Sequence, residues 1–296
     1  MINTADVFEP HYIYQEGQFA RLAKPDSVHA LSLVYCESQY YLQQAIQNQH
    51  VSVIITSTAL VPLLDQAEDI GIIVSQNPRL DYWALHGRLV EAGLAQPNFV
   101  EAGIGTNCQI HPSAIISETV QIGNSVSIGA CAVIEAYSII GNSTLIAPGA
   151  VIGAEGLQTY SISGRKEFIR HAGGVKIGSG VTILANAVIS KAIYPDYTVV
   201  DDNTQVSLLS SVGHQSRIGA NCSIAGNVLI GGSVEMGDGV WVGPSATIKD
   251  GLTIGANAQI KLGSVVVKDI GEGEVVSGNF AIPHRLSLRE YARKIK

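Results

Sequence analysis

One histidine in this sequence has the type and the position that suit proton transfer. His214 follows the aliphatic residue Val212 by two positions, which predicts a turn residue that faces outward. A neutral imidazole near pH 7 can remove a proton from an attacking amine or hydroxyl. His214 is therefore the candidate general base, and the plainer alternative is a surface histidine on a turn.

A second group of residues carries positive charge. The segment from Glu155 to Gly174 is polar and aromatic, and it contains Arg165, Lys166 and Arg170 in a chain of net charge −7. Guanidinium and ammonium groups bind phosphate. These three residues are candidates for contacting a phosphate-bearing donor or substrate, and a solvated charge cluster is the alternative.

The placement of these residues in the fold depends on a sequence repeat of six residues. Aliphatic residues recur at this spacing in three runs of nine, three and twelve positions, which are Ile104 to Ile152, Ile177 to Ile189 and Val200 to Val266. The next residue is often glycine, and the fourth after the aliphatic one is small. A period of six fits neither a helix nor a simple strand, and it predicts a solenoid of short strands and turns. Twenty-four such positions argue against an ordinary glycine-rich β-sandwich.

The pattern resembles the hexapeptide repeat of the left-handed parallel β-helix. In that fold three repeats make one coil of eighteen residues, so Gly232 is expected to stack directly on His214. The glycine amide has no side chain to shield it, so it is an accessible hydrogen-bond donor beside the imidazole.

The first 98 residues lack the repeat and predict a small α/β domain. Val51 to Thr56 and Gly71 to Ser75 have the composition of buried strands. Asn77 and Pro78 mark the start of a helix from Arg79 to Ala92, because Asn caps free amides and Pro suits the first turn.

The fold class predicted from these patterns is mainly β. We expect an α/β domain over residues 1–98, a left-handed β-helix over 99–270, and a tail over 271–296. The tail includes a short helix from Leu286 to Ile295.

Composition and charge exclude several functions. Charged residues make up 15% of the chain, and 18 basic residues stand against 25 acidic ones, so nucleic acid is not expected as the main partner. The sequence has no apolar run long enough to span a membrane, no secretory leader and no CxxC pair. We therefore expect a cytoplasmic protein with reduced thiols, no membrane span and no bound metal.

Four segments resemble one family, the UDP-3-O-acylglucosamine N-acyltransferases of lipid A synthesis. LVYCESQYYL, from Leu33, is similar to the family's LSFLDNPKYL, and VSQNPRL, from Val74, is similar to VDNPRL. IGAEG, from Ile152, is similar to IGSDG, and VGHQSRIGANCSIAG, from Val212, is similar to IAHNVRIGRNCAIAG. The resemblance covers nearly the whole chain up to Arg285 and includes the order of an α/β domain before a β-helix.

This resemblance implies an acyltransferase that moves an acyl group from a thioester to the amine of a nucleotide-linked amino sugar. It implies His214 as the catalytic base, the amide of Gly232 as the oxyanion donor, and Tyr35, Ser38 and Tyr41 around the uracil. It also implies a homotrimer with sites shared between neighbouring subunits. No cofactor is expected to stay bound, since acyl-CoA or an acyl carrier protein thioester is a co-substrate.

Three departures from the family leave other functions open. Ser207 stands where the family has an aspartate that orients the histidine, and Gly251 stands where it has a second histidine. The chain also ends at Lys296, soon after the helices that grip an acyl carrier protein would begin. These departures favour coenzyme A or a shorter acyl chain, and hence an acetyl-CoA-dependent N- or O-acetyltransferase of another nucleotide sugar as the second candidate.

Two further alternatives come from other classes of protein. A β-helix carbonic anhydrase needs a pair of zinc-binding histidines spaced HxxxxH, and the eight histidines here include no such pair. A scaffold of the same fold without catalysis is the other. For Tyr35 and Tyr41, which are six residues apart and could hold a base between their rings, the alternative is that they pack the core of the small domain.

Overall fold

The computed structural model describes residues 1–64, 67, 69–97, 101–162, 164–278, 289 and 292–294. Its contacts divide the chain into two units. The first comprises Met1–Val100, Glu155–Gly174 and Lys191–Tyr197, and the second comprises Glu101–Ala154, Val175–Ser190 and Thr198–Lys296. Two segments that interrupt the repeat therefore belong to the first unit.

The second unit is a solenoid of three parallel sheets, which we call faces 1, 2 and 3. The strands of face 1 are Gly103–Ile104, Gln121–Ile122, Ile139–Ile140, Gly174–Ile177, Tyr197–Val200, Arg217–Ile218, Glu235–Met236 and Thr253–Ile254. The strands of face 2 are Gln109–Ile110, Ser127–Ile128, Leu145–Ile146, Thr182–Ile183, Gln205–Val206, Ser223–Ile224, Trp241–Val242, Gln259–Ile260 and Val275–Val276. The strands of face 3 are Ile115–Ile116, Val133–Ile134, Val151–Ala154, Val188–Ser190, Ser211–Val212, Leu229–Ile230, Thr247–Ile248 and Val265–Val266.

Every aliphatic position of the predicted repeat lies in one of these strands. Strands of successive coils pair in register, as Ser211–Val212 does with Leu229–Ile230. From Ile122 onward the aliphatic residues are buried together, in one core that also holds the small residues four positions later. This is the arrangement of a left-handed parallel β-helix, so the predicted fold class is confirmed. One further strand, Val275–Val276, extends the solenoid beyond the predicted end of the repeat.

The turns of the solenoid depend on a residue in the left-handed conformation. It lies three positions after the inward aliphatic residue, as in Asn227 (φ 58°), Ser233 (φ 58°) and Gly251 (φ 70°). Short polar residues and glycine adopt this conformation at low cost. Leu209 (φ 59°) adopts it as well, so the register of the coil decides the conformation even where the residue type does not favour it.

A glycine directly follows many of the aliphatic residues, and the reason is steric rather than a left-handed conformation. A Cβ added to Gly141 would lie 2.4 Å from the carbonyl carbon of Gly178, which is on the next coil. Adjacent strands lie only about 4.8 Å apart. A side chain at this corner would therefore collide with the neighbouring backbone.

The first unit contains a five-stranded sheet in the order Ile13–Gln15, Gly71–Ser75, Val51–Ser57, Ser32–Cys36 and Arg21–Leu22. All neighbouring pairs are parallel except the first. From its N-terminal part the unit also has helices Thr4–Val7, Gln39–Gln47 and Pro78–Glu91, 3-10 helices Pro10–Tyr12 and Thr58–Leu63, and the strand pair Ile2–Asn3 and Gln18–Phe19. Among the described residues, no helix is both long and apolar enough to cross a membrane.

Polar side chains begin the two main helices. The Oγ of Ser38 accepts a hydrogen bond from the Tyr41 amide at 3.4 Å, and the Oδ1 of Asn77 accepts one from the Leu80 amide at 3.1 Å. The predicted helix from Arg79 begins one residue earlier, at Pro78, because proline at the first turn gives up no helical hydrogen bond.

The two inserted segments differ from the predicted linear division of the chain. Residues 155–174 form an antiparallel hairpin of Thr159–Ile162 and Arg165–Phe168. Ile169 and Ala172 from this segment, and Ile193 and Tyr194 from the second one, are buried in the core of the first unit. That burial places the insertions there rather than in the β-helix range 99–270. The predicted helix from Leu286 to Ile295 lies mostly outside the described residues.

The close approach of coils gives a direct test of the solenoid packing. Gly141→Ala should lower the free energy of unfolding by about 1–3 kcal/mol, the usual cost of overpacking, because its Cβ would meet the backbone of Gly178. Gly103→Ala is the matched control, since no atom of the described residues beyond its two chain neighbours lies within 4 Å of its added Cβ. Urea unfolding followed by circular dichroism measures both, and equal midpoints would contradict the packing.

Candidate functional site

His214 lies in the turn that follows strand Ser211–Val212 of face 3, and its side chain is half-buried. A Cβ added to Gly232 would be 2.5 Å from Cε1, 2.7 Å from Nε2 and 2.8 Å from Nδ1 of this imidazole. The ring therefore covers the glycine one coil further on, at the position that the coil length predicts. The carbonyl of His214 accepts a hydrogen bond from the Ser233 amide at 2.7 Å, which fixes the two turns together.

The backbone of Gly232 is oriented by its neighbours, while its own amide is available. The Gly251 amide donates to the Gly232 carbonyl at 2.9 Å. Within the part of the chain that the structure describes, the Gly232 amide donates no hydrogen bond. An available N–H beside an imidazole combines the two groups that acyl transfer requires, an oxyanion donor and a proton acceptor.

Ser207 and Gly251, the two positions where the chain departs from the family, lie at different corners of the solenoid. Ser207 directly follows the face 2 strand Gln205–Val206, whereas His214 lies in the turn after the face 3 strand Ser211–Val212, so the two residues belong to different corners of the coil. Ser207 lines a groove together with Ser223 and Trp241. Gly251 lies in the same column of turns as His214, two coils further on, and its left-handed φ of 70° favours glycine over histidine.

A second candidate site is a cavity of about 470 Å³ in the first unit, a volume typical of small-molecule sites. The sheet, the long helix and the inserted hairpin all contribute to its wall. The lining residues are Tyr35, Glu37, Asn77, Arg79, Leu80, Trp83, Gln158, Thr159, Tyr160, Ser161 and Lys166.

An aromatic ring and three charged groups give this cavity its chemistry. Arg79 donates from Nη2 to Oε2 of Glu37 at 2.6 Å, and its guanidinium lies 6.0 Å from the centre of the Tyr35 ring. Burial raises the pKa of Tyr35, although the charge of Arg79 acts in the opposite direction. Lys166 adds a second cation. Such a site can stack a planar ring and pair with an anion.

The structure brings some of the sequence-predicted residues together and separates others. Tyr35 lines the cavity, but Ser38 and Tyr41 do not. The Ser38 hydroxyl caps a helix, and the half-exposed Tyr41 packs edge-on against Tyr40 at 5.2 Å. The ring of Tyr35 also packs 4.9 Å from that of Tyr82 in the core, so this residue lies both in the cavity wall and against the core.

The basic residues of the hairpin separate in the same way. Lys166 lines the cavity, whereas Arg165 and Arg170 do not. Glu37 and Arg79 were not among the residues predicted from the sequence. Both lie within the segments that resemble the family, LVYCESQYYL and VSQNPRL, and that was the available signal. Across the described residues, no three His, Cys, Asp or Glu side chains meet as metal ligands.

The fold and the His214 turn define a class of protein. Three stacked sheets of hexapeptide repeats form the solenoid, and a model described as bacterial transferase hexapeptide (six repeats) matches residues 101–136. The chain is a hexapeptide-repeat β-helix protein.

Curated relatives make the likeness more specific. UDP-3-O-acylglucosamine N-acyltransferase from Delftia acidovorans is 33% identical over 232 residues, which cover 72% of this chain and 65% of that protein. The protein of the same name from Verminephrobacter eiseniae is 36% identical over 80 residues, 27% of this chain and 24% of that one. The resemblance predicted from the sequence is confirmed by these matches, although the chain spans less than two thirds of the length of either relative.

Solved structures align with the chain at lower sequence identity. LpxA from Acinetobacter baumannii aligns with a TM-score of 0.45 and 24% sequence identity, over 62% of this chain and 76% of that one. A UDP-N-acetylglucosamine acyltransferase from Campylobacter jejuni aligns with a TM-score of 0.45 and 25% identity, over 62% and 77%. Likenesses of this degree say nothing about activity.

Proposed function

We propose that this chain is an acyltransferase that moves an acyl group from a thioester donor to the amine of a nucleotide-linked amino sugar. The observation that carries the proposal is the imidazole of His214 stacked on Gly232, whose amide is available. The relatives from Delftia and Verminephrobacter support this acceptor, because their name states N-acylation of UDP-3-O-acylglucosamine. Lipid A synthesis is the setting that this resemblance implies.

The reaction follows from the two groups at the turn. His214 takes a proton from the amine as the amine nitrogen attacks the thioester carbonyl. The Gly232 amide donates to the carbonyl oxygen while it carries negative charge. The carbon–sulfur bond then breaks, an amide bond remains on the sugar, and His214 returns the proton to the departing thiolate. No metal is required for these steps.

The cavity of the first unit is the site that we assign to the nucleotide. Tyr35 offers a ring on which a base can stack, and Arg79 and Lys166 are placed to pair with phosphate. Ser38 and Tyr41 stay candidates for reading the base, as the resemblance implies. Arg165 and Arg170 stay candidates for phosphate on the donor.

The donor is a thioester of coenzyme A or of an acyl carrier protein. The alternative function, an acetyl-CoA-dependent N- or O-acetyltransferase of another nucleotide sugar, is favoured by Ser207 and Gly251. Neither residue can supply the carboxylate or the imidazole that the family has at these positions. We place the reaction in the cytoplasm, because all four cysteines are free thiols.

Face 3 supports assembly into the predicted homotrimer. The outward positions of its strands are occupied in order by Ile115, Val133, Val151, Val188, Ser211, Leu229, Thr247 and Val265. Six of these eight are apolar, whereas the same positions of face 1 include Lys176, Arg217 and Glu235. A second copy of the chain would cover this apolar column, and His214 lies at its edge.

The proposed base is tested by removing the imidazole. His214→Ala should lower turnover by about 10²–10⁴-fold, the usual contribution of general base catalysis. His111→Ala is the matched control, because His111 is an exposed turn histidine elsewhere in the solenoid. Mass spectrometry of products, from a panel of nucleotide amino sugars with acyl-CoA and acyl carrier protein donors, measures turnover. Retention of more than about a tenth of wild-type turnover would place the chemistry elsewhere.

The contact between Gly232 and His214 is tested with a second pair of variants. Gly232→Ala should also reduce turnover, since the added Cβ would displace the imidazole and cover the amide. Gly226→Ala should not, because the nearest atom to its Cβ is 3.5 Å away. Equal turnover in the two variants would show that contact between His214 and Gly232 is not used in the reaction.

The nucleotide site is tested by binding rather than by turnover. Tyr35→Ala should weaken the binding of UDP by about 1–3 kcal/mol, the usual contribution of a stacked base, and should leave turnover at saturation nearly intact. Tyr40→Ala serves as the control, since this tyrosine is 70% exposed and does not line the cavity. Calorimetry with UDP, GDP and ADP measures the affinities and ranks the bases. Unchanged affinity would mean that Tyr35 only packs the core.

The trimer is tested by a charge placed on face 3. The wild type should sediment at three times the chain mass of 31.2 kDa. Leu229→Glu should dissociate it, because this outward leucine of face 3 is 51% exposed in the single chain. Leu145→Glu, at an outward position of face 2 with 39% exposure, should not. A wild-type protein that sediments at the mass of one chain refutes the assembly.

A further inference from the structure

A buried histidine in the first unit takes no part in the proposed reaction. His86, on the helix Pro78–Glu91, is 0% exposed, and its Nε2 lies 2.8 Å from the carbonyl oxygen of Arg170. A carbonyl oxygen only accepts, so Nε2 carries the hydrogen and Nδ1 carries the lone pair of a neutral ring. Nδ1 is buried and has no hydrogen-bond partner among the described residues. We call the bond from Nε2 to Arg170 the His86 contact.

The His86 contact is linked to the wall of the cavity through the residue that precedes Arg170. Arg170 directly follows Ile169, which is buried and whose amide donates to the carbonyl of Gln158 at 2.9 Å. Gln158 lines the cavity. Trp83, one helical turn before His86, lines the cavity as well and packs edge-on against the His86 ring at 5.4 Å. The contact therefore holds the end of the inserted hairpin against the helix.

Few of the described groups near His86 could stabilise a positive charge on its imidazole. The titratable or charged groups that face it from the packed segments are Glu155 and Tyr194, and Arg170 faces it through its backbone carbonyl. Glu155 is already paired with Lys191, whose Nζ lies 3.1 Å from Oε1. Burial lowers the pKa of His86, and the Arg170 carbonyl and Glu155 oppose that shift without cancelling it. A proton on Nδ1 would place a buried positive charge on a nitrogen that has no hydrogen-bond acceptor beside it.

We propose that His86 is a positioning residue of the cavity, which holds the hairpin Thr159–Phe168 in place only while its imidazole is neutral. Once the hairpin leaves the helix, His86 meets water and titrates near its ordinary value of about 6.5. Because the buried form binds its proton less readily, the contact contributes fully above that pH. Its contribution is lost progressively as the pH falls below it. The effect on ligand affinity rests on the proposed nucleotide site, whereas the effect on the hairpin does not.

Hydrogen exchange on the full chain without ligand tests the hairpin. Amides of residues 155–174 in the wild type should be protected at about pH 7.5 and should lose protection at about pH 5.5, after correction for intrinsic exchange rates. The strand Val51–Ser57 of the same unit should keep its protection. His86→Gln should stay protected at both values, because the glutamine amide can donate to the Arg170 carbonyl and does not titrate. His11→Gln, at an exposed histidine, should behave like the wild type.

Affinity for UDP tests the consequence for the cavity. Between the same two pH values the wild type should lose roughly fivefold or more relative to His86→Gln, the lower end of typical coupling between linked sites. The comparison with the variant removes the protonation of UDP itself from the result. If UDP binds at neither pH, the nucleotide proposal fails, and hydrogen exchange alone decides the role of His86.

Three outcomes would overturn the role of His86. Protection of residues 155–174 that does not change with pH is one, and an equal loss in the hairpin and in strand Val51–Ser57 is another. A loss in His86→Gln that matches the wild type is the third. If this variant does not fold, the comparison of the two segments in the wild type still supports or overturns the proposal.

Discussion

The distance between one coil and the next controls most of this structure. Strands of successive coils pair at about 4.8 Å, and the aliphatic positions of paired strands keep the same register along the solenoid. This spacing excludes a side chain at the corner where Gly141 meets Gly178. It also determines that the residue above His214 is Gly232. The contact between His214 and Gly232 is therefore a product of the repeat and needs no special loop.

The same constraint explains where the chain admits extra residues. Ile140 pairs with Ile177 in the register of the regular coils, although a hairpin of the first unit lies between them in sequence. Likewise Ile189 pairs with Val212 across the second insertion. Both insertions leave at a turn and return to the next strand position, so the core of the solenoid is continuous. The first unit gains buried residues from them, and the register shifts only locally, between Ile152 and Ala154, where the first insertion leaves the solenoid.

Prediction from the sequence succeeded where the signal was periodic and failed where it was not. The six-residue period placed every inward aliphatic residue in a strand, because one spacing recurs along the whole solenoid. The left-handed turn position was missed, since it accepts Asn, Ser, Gly and even Leu209 and has no single residue type. Burial of Ile169 and Tyr194 in the first unit depends on contacts distant in sequence. No local pattern records such contacts, and the pairing of Glu37 with Arg79 escaped prediction for that reason.

The polar residues of the small domain show a second limit. The resemblance implies that Ser38 lies beside a base, and this stays a prediction; in the structure its hydroxyl is 3.4 Å from the Tyr41 amide and caps a helix. A short hydroxyl side chain before a helix satisfies a backbone amide in most proteins. A likeness in sequence therefore transfers the position of such a residue more securely than its role.

The first coil of the solenoid differs from the interior coils in one respect. Ile104 is 59% exposed, whereas Ile122 and Ile140, which follow it on face 1, are 3% and 1% exposed. In a stack whose units contact only their neighbours, stability is a sum of local and nearest-neighbour contributions. Opening is therefore cheapest at a terminal coil and becomes costlier with each coil that must follow. The turn of His214 follows the fifth of eight strands on face 3. Transient fraying therefore exposes the end coils to solvent long before it reaches the turn of His214.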